Sequence, residues 1–242
     1  MSIISLDYVR KVRGVGRATR TVLDDISIEI GAREFTSVFG PSGSGKTDLM
    51  QVIAGLTSVD DGNVVVGDTD LTRAGDADKQ RLLATHIGVL YPRDNLLPAL
   101  TVYKNLDLPA DLCGHKIDDD ARARIAELFG IESILDYYPD SLALVDQQRV
   151  AIAARVLAGR TILLCDEPTS RLDKADADSI LALLRMCVRE LGLTVVTFTA
   201  NPLAAEYADR VFLLSNAQIA GELIDPTLDS IFNALQAVHG EV

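Results

Sequence analysis

Tryptophan is absent from this 242-residue chain, and cysteine and histidine occur only three times each. Cys113, Cys165 and Cys187 are far apart, odd in number and form no CxxC pair. That excludes a disulfide framework or a thiolate zinc site, and three reduced thiols in a cytosolic protein are expected. His86, His115 and His239 are isolated, so no histidine metal cluster is expected. Long apolar runs are missing too. Nowhere do about 18 apolar residues follow one another without a charge, which excludes a spanning helix. The first ten residues show no basic region followed by an apolar stretch, so no signal peptide is expected. Basic residues are scarce beside acidic ones, 23 against 35, for a net charge of -12. Nucleic-acid recognition needs clustered Lys and Arg, so no nucleic-acid partner is expected. The acidity leaves nucleotide binding open, because backbone N–H groups and one lysine can hold phosphates.

What is present is a globular composition. Apolar residues make up 48% and charged residues 24%, spread along the chain, enough for one large core. Glu34 to Phe39 reads as a strand that ends at a glycine-rich loop, and Thr47 to Leu56 follows at helical spacing. Further strands are expected at Asn63–Val66, Ile87–Tyr91, Thr161–Cys165, Thr194–Phe198 and Arg210–Leu214. Helices are expected at Asp118–Phe129, Gln147–Leu157, Ala175–Glu190 and, on the surface, Thr227–Val238. Alternating strand and helix implies parallel strands with crossover helices. From Pro92 to about Leu157 no buried strand is expected, so that stretch reads as a helical insertion. No internal repeat or low-complexity segment interrupts the pattern.

The strongest motif is Gly40-Pro41-Ser42-Gly43-Ser44-Gly45-Lys46-Thr47, which fits GxxxxGK[ST] between a strand and a helix. Its glycines let the backbone curl so that several N–H groups face one anion. Lys46 would reach the β- and γ-phosphates, and the Thr47 hydroxyl would ligate magnesium. The second motif is the apolar strand Ile162-Leu163-Leu164-Cys165 that delivers Asp166 and Glu167 at its C-terminal end, where α/β sheets place their sites. Asp166 would hold magnesium, and Glu167 would orient and polarise an attacking water.

Together these motifs make the chain resemble the ATP-binding subunits of ABC transporters over essentially its whole length. Ser170-Arg171-Leu172-Asp173 resembles the family's D-loop, and Tyr138-Pro139 with Gln147-Gln148-Arg149-Val150-Ala151-Ile152-Ala153 resembles the frame of its signature. Asn95-Leu96-Leu97-Pro98 followed by Leu100-Thr101-Val102 is similar to the lipoprotein-release and macrolide-export subgroup. The resemblance implies an α/β fold, a P-loop NTPase (RecA-like) parallel sheet with an N-terminal antiparallel β portion and an inserted helical subdomain. It implies one nucleotide-binding domain over 1–242, with the helical subdomain at 92–157. It also implies ATP and Mg2+ as cofactors and a transmembrane permease subunit as partner. In the family two such subunits form a head-to-tail dimer, each ATP lying between one phosphate loop and the other chain's signature. The implied location is cytoplasmic, peripheral on the inner face of the cell membrane through the permease.

Several positions depart from the family's pattern. The signature Leu-Ser-Gly-Gly-Gln aligns with Leu142-Ala143-Leu144-Val145-Asp146, which loses the hydroxyl and the small residues and adds a charge. The Q-loop glutamine aligns with Pro92, which has no side-chain oxygen and stiffens a segment that normally moves. The switch histidine aligns with Ala200, and the aromatic that stacks on adenine aligns with Arg13, whose guanidinium plane can also stack on a base. After Thr47 the family has Ser or Thr at the α-phosphate, and here stands Asp48. Like charges about 4 Å apart at an effective dielectric near 20 repel by about 4 kcal/mol. The penalty shrinks if Asp48 turns to solvent or pairs with a base, and a carboxylate in a helix's first turn is also favoured by the dipole.

Two readings follow. One is a transport ATPase subunit that binds ATP and hydrolyses it weakly, carried by Lys46, Thr47, Asp166 and Glu167. The alternative is a non-catalytic pseudo-ATPase that serves as a structural or regulatory subunit, carried by Pro92, Ala200 and the altered signature. A soluble P-loop kinase is disfavoured, because the signature frame and D-loop have no role there. Several lesions in one chain favour a second, different ATPase subunit as partner, with a homodimer as the alternative.

Overall fold

The computed structural model describes residues 2–14 and 16–239. β1 (Ser2–Arg13) and β2 (Arg20–Gly31) pair antiparallel, with Arg13 opposite Arg20 at the hairpin end. β3 (Phe35–Phe39) leads into α1 (Lys46–Ile53). β4 (Asp61–Val66) and β5 (Thr69–Asp70) complete an antiparallel sheet of order β2-β1-β4-β5. After α2 (Asp76–Thr85) and β6 (Ile87–Leu90) come α3 (Val102–Asp111), α4 (Asp119–Phe129) and α5 (Leu144–Leu157). The chain then alternates β7 (Ile162–Asp166), α6 (Lys174–Arg189), β8 (Thr194–Thr199), the single-turn α7 (Pro202–Ala205) and β9 (Arg210–Ser215). β10 (Gln218–Ile224) and α8 (Leu228–His239) follow.

The second sheet has the order β10-β9-β3-β8-β7-β6. β9, β3, β8, β7 and β6 are parallel, and β10 runs antiparallel to β9. Its central strands β3, β7 and β8 are buried at every residue, as a sheet covered on both faces requires. Their side chains alternate between two cores. Phe35, Leu163, Cys165 and Val195 face a core shared with α5 and α6. Val38, Leu164, Val196 and Phe198 face a core shared with α1 and the antiparallel sheet. A one-residue slip would exchange the two faces, so packing on both sides fixes the register of the strands that carry the site. The expected α/β architecture, with its antiparallel N-terminal portion and its parallel sheet, is the one observed.

Element ends differ from expectation in places. α1 stops at Ile53 rather than Leu56, because Gly55 takes φ 69° and terminates it. α5 begins at Leu144, three residues ahead of the expected Gln147, so Leu144 to Asp146 form its first turn. α3 carries Pro109 inside it and lacks a clear helical signal in sequence. It is stabilised by tertiary bonds: the buried Asn105 side chain accepts from Leu97 N–H at 2.7 Å and donates to the carbonyls of Leu97, Leu100 and Thr101, each at 3.0 Å. Among the described residues no helix is long and apolar enough to cross a membrane.

Burial separates the three thiols. Cys165 in β7 and Cys187 in α6 are buried, whereas Cys113 is partly exposed. Burial raises the Cys165 thiol well above its ordinary value and pushes Cys187 up to about 12. The thiolate is the reactive form, so neither buried sulfur should gain reactivity as pH rises from 7 to 9. Iodoacetamide is expected to modify Cys113 in the folded chain and the other two only after denaturation, read by peptide mass spectrometry. Alkylation of Cys187 as fast as Cys113 under native conditions would contradict this packing.

Candidate functional site

The glycine-rich segment forms a tight loop from the end of β3 to the start of α1, pinned by Gly40 N–H to Thr199 O at 3.1 Å and Ser44 N–H to Pro41 O at 3.3 Å. A side chain at Gly40 would collide with the Leu214 carbonyl oxygen. Gly45, at φ 109°, caps α1, and a side chain there would collide with the Val22 carbonyl oxygen. Only glycine meets both demands. Lys46 is buried, and its Nζ donates to Gly40 O at 2.8 Å and Pro41 O at 3.0 Å. Burial lowers its pKa, while Glu167, 3.9 Å from Nζ, and Asp166 act in the opposite direction. Ser44 Oγ is buried with no hydrogen-bond partner among the described residues. An orphaned hydroxyl in a loop opening at a helix N-terminus fits a phosphate oxygen as its acceptor.

β7 ends on the two carboxylates. Thr47 Oγ1 donates to Asp166 Oδ2 at 2.9 Å, which joins the hydroxyl of the loop to the first carboxylate. Burial raises the Asp166 pKa, the Thr47 hydrogen bond opposes that, Glu167 adds to the rise and Lys46 counters it. A hydroxyl and a carboxylate side by side beside a phosphate loop are a hard oxygen donor set of the kind magnesium takes. Glu167 sits at φ 46°, a strained conformation for a non-glycine residue. Its carboxylate is held at both oxygens: Thr199 Oγ1 donates to Oε2 at 3.0 Å, and Ala200 N–H donates to Oε1 at 2.9 Å. Its aim is thus set by the end of β8.

Gly43, Gly45, Lys46, Thr47, Asp48, Asp166 and Glu167 line one open cleft of about 320 Å³ with Ser42, Arg20, Val22 and Pro92. Pro92 therefore faces the cleft at the position where the resemblance expects an amide side chain. Ala200 contributes its backbone N–H to Glu167 and only a methyl group as side chain. The altered signature lies elsewhere on the chain. Ala143 caps α5 without a side-chain hydrogen bond, Leu144 is 37% exposed at the helix start, and Asp146 pairs with Arg149 at 3.4 Å. The first turn of α5 thus opens without a side-chain cap and with Leu144 partly exposed.

Arg13 and Asp48 resolve the question of where the extra carboxylate points. Arg13 Nε is ion-paired with Asp48 Oδ1, and Arg13 Nη2 donates to Gln51 Oε1 at 2.8 Å. Asp48 thus pairs with a neighbouring base within the first turn of α1. Three contributors were not foreseen. Arg20 Nη2 donates to Gly43 O at 3.1 Å, and Thr199 and the Ala200 N–H orient Glu167. Arg20 is found only through strand register, which sets it opposite Arg13. The Thr199 hydroxyl lies at the end of β8, one residue beyond the expected Thr194–Phe198.

A sequence model of the ABC transporter family matches residues 23–170. The bacitracin export ATP-binding protein BceA of Halalkalibacterium halodurans is 31% identical over 244 residues, covering 99% of this chain and 96% of its own length. The methionine import ATP-binding protein MetN of Cupriavidus pinatubonensis is 36% identical over 91% of this chain and 65% of its own. The macrolide export ATP-binding/permease protein MacB of Burkholderia pseudomallei is 31% identical over 98% of this chain, which spans 37% of that larger protein. Among solved structures, the dimeric post-hydrolysis state of the ATP-binding cassette MJ0796 bound to ADP and Pi superposes with a TM-score of 0.82 at 28% identity, covering 93% of this chain and 99% of that one.

Proposed function

The chain belongs to the ABC transporter family of ATP-binding proteins, and from that premise we propose that it is the ATP-binding subunit of a membrane transport complex that couples ATP binding and weak hydrolysis to a permease. The observation that carries the reading is the cleft in which the Gly40–Thr47 loop, Asp166 and Glu167 converge. The loop N–H groups, Lys46 and the Ser44 hydroxyl bind the phosphates. Thr47 and Asp166 would hold magnesium, whose charge would offset that of the β- and γ-phosphates. Glu167, fixed at both oxygens by Thr199 and Ala200, orients the attacking water and accepts its proton. Retention of both carboxylates with the loop supports an ATPase over a purely structural subunit.

Titration of the full chain with Mg-ATP tests the first half. Saturable heat is expected, lost in Lys46→Ala. Nucleotide at a hundredfold above Kd stabilises by about 2.7 kcal/mol, which for a chain of this size is a rise in Tm of roughly 5–10 °C. Absence of both heat and thermal shift at millimolar Mg-ATP rejects the reading.

The coupling half rests on the three helices α3, α4 and α5, between β6 and β7, which belong to the 92–157 subdomain we assign to permease docking. We place the chain in the cytoplasm, held on the membrane's inner face by that permease. Expressed with its permease it is expected to sediment with membranes, and expressed alone to remain in the supernatant. A chain that stays in the supernatant in both cases overturns the transport assignment while leaving nucleotide binding intact.

A further inference from the structure

Asp48 stands on the wall of a cleft read as taking a triphosphate, where an uncompensated carboxylate repels the ligand. Arg13, the last residue of β1, reaches across α1 to meet it. Its Nε is ion-paired with Asp48 and its Nη2 donates to Gln51 at 2.8 Å. Residues 48 and 51 are three apart on one helix and so share a face. One planar guanidinium meets both, ion-paired with Asp48 and hydrogen-bonded to Gln51, a combination that a lysine's point charge would not reproduce. Asp48 is largely buried in this pairing, while Arg13 remains half exposed.

The β1–β2 register adds a second guanidinium. Arg20, opposite Arg13, donates to Gly43 O at 3.1 Å and lines the cleft itself. The cleft lining carries two formal cations, Arg20 and Lys46, against three formal anions, Asp48, Asp166 and Glu167, and Arg13 outside it neutralises Asp48. Among the described residues that line the cleft there is no aromatic ring to stack on a base. The donors present converge on the loop, and the guanidinium at the base-stacking position is bound to α1.

We propose that Arg13 and Asp48 act as one charge-cancelling unit, with Arg13 holding the Asp48 carboxylate off the phosphates, so that the site selects nucleoside triphosphates by their phosphates, through Arg20 and the loop, with little regard for the base. This rests on the nucleotide-binding reading above. Arg13 is here a positioning residue that works through Asp48, whereas Arg20 touches the phosphates directly.

Isothermal titration of the full chain with Mg-ATP, Mg-GTP and Mg-UTP decides it. The three affinities are expected to lie within about fivefold of one another, because no aromatic ring lines the cleft and the half-exposed face of Arg13 would stack on any base alike. Arg13→Gln weakens all three by about tenfold, the size of coupling usual between contacting charges. Asp48→Asn tightens all three, and Arg13→Gln added to it brings no further weakening because no carboxylate remains to be held off, the signature of a shared interaction in such a cycle. Arg20→Gln weakens all three alike and flattens their salt dependence. Should Arg13→Gln prove unstable, Asp48→Asn carries the test alone, since a merely structural ion pair gives no tightening when broken. Additive single effects, or a preference for ATP over UTP beyond about thirtyfold, which requires several specific base contacts, overturn the inference. A wild-type chain silent to all three nucleotides overturns the nucleotide-binding reading itself.

Discussion

Purified alone, whether monomeric or as a homodimer, the chain is expected to turn over ATP at a rate close to background. On the resemblance, three side chains that would act on the developing γ-phosphate charge are replaced, at Pro92, Ala200 and Ala143. Pro92 faces the cleft with a ring that has no polar atom. Ala200 gives its N–H to Glu167 and has only a methyl group beyond it. Ala143 leaves the start of α5 without a side-chain cap. Loss of one donor to a transition-state charge commonly costs about 2.7–4 kcal/mol. Two or three such losses therefore slow the reaction by about four orders of magnitude or more. Phosphate release assayed on the isolated chain should match Glu167→Gln. Sustained turnover that Glu167→Gln abolishes would mean that other groups, such as the fixed Glu167 with Lys46, suffice without them.

How far each feature is legible in the sequence follows how far it depends on long-range contacts. The phosphate loop and the Ile162–Asp166 strand were legible because each is a contiguous run whose residue types are dictated locally. Glycines are required by collisions with the Leu214 and Val22 carbonyls, and the strand by burial on both faces. The hairpin that opens the chain was legible only as an antiparallel portion. Tyr8 at φ 52° and Asp25 at φ 56° interrupt its alternation, and the β1–β2 register shifts more than once. Arg20 and the Arg13–Asp48 pair depend on that register, so no local pattern announces them. Sequence alone left Asp48 balanced between repelling phosphate and capping a helix, and only the third dimension supplied Arg13. α3 was hidden for a related reason. Its apolar residues Val102, Leu106 and Ala110 are packed in the core, one buried asparagine ties it to a preceding loop, and its own sequence contains a proline.

We propose that the working complex pairs this chain with a different ATPase subunit; a mutation of that partner's catalytic glutamate is then expected to abolish transport, whereas Glu167→Gln in this chain reduces it only modestly. The family's head-to-tail arrangement provides the reasoning. Each composite site draws its phosphate loop, carboxylates, Q-loop and switch position from one chain and its signature from the other. Paired with an intact partner, this chain's own site combines Lys46 and Glu167 with a sound signature but lacks side chains at Pro92 and Ala200 that could act on the γ-phosphate. The opposite site has the partner's complete catalytic set facing Leu142 to Asp146. There the helix N-terminus keeps its uncapped N–H groups and dipole, and Asp146 is drawn back by Arg149 at 3.4 Å, so the added negative charge is partly offset. A damaged signature of that kind removes one donor, about 2.7–4 kcal/mol, whereas this chain's own site has lost two. The difference of one donor is about a hundredfold or more in rate, so nearly all turnover passes through the partner's carboxylate, and this chain's site mainly holds nucleotide. Transport assayed with each glutamate replaced in turn reads the asymmetry. Equal losses from the two replacements would mean two coupled working sites, and a complex purified with two copies of this chain and no other ATPase would remove the partner on which the asymmetry depends.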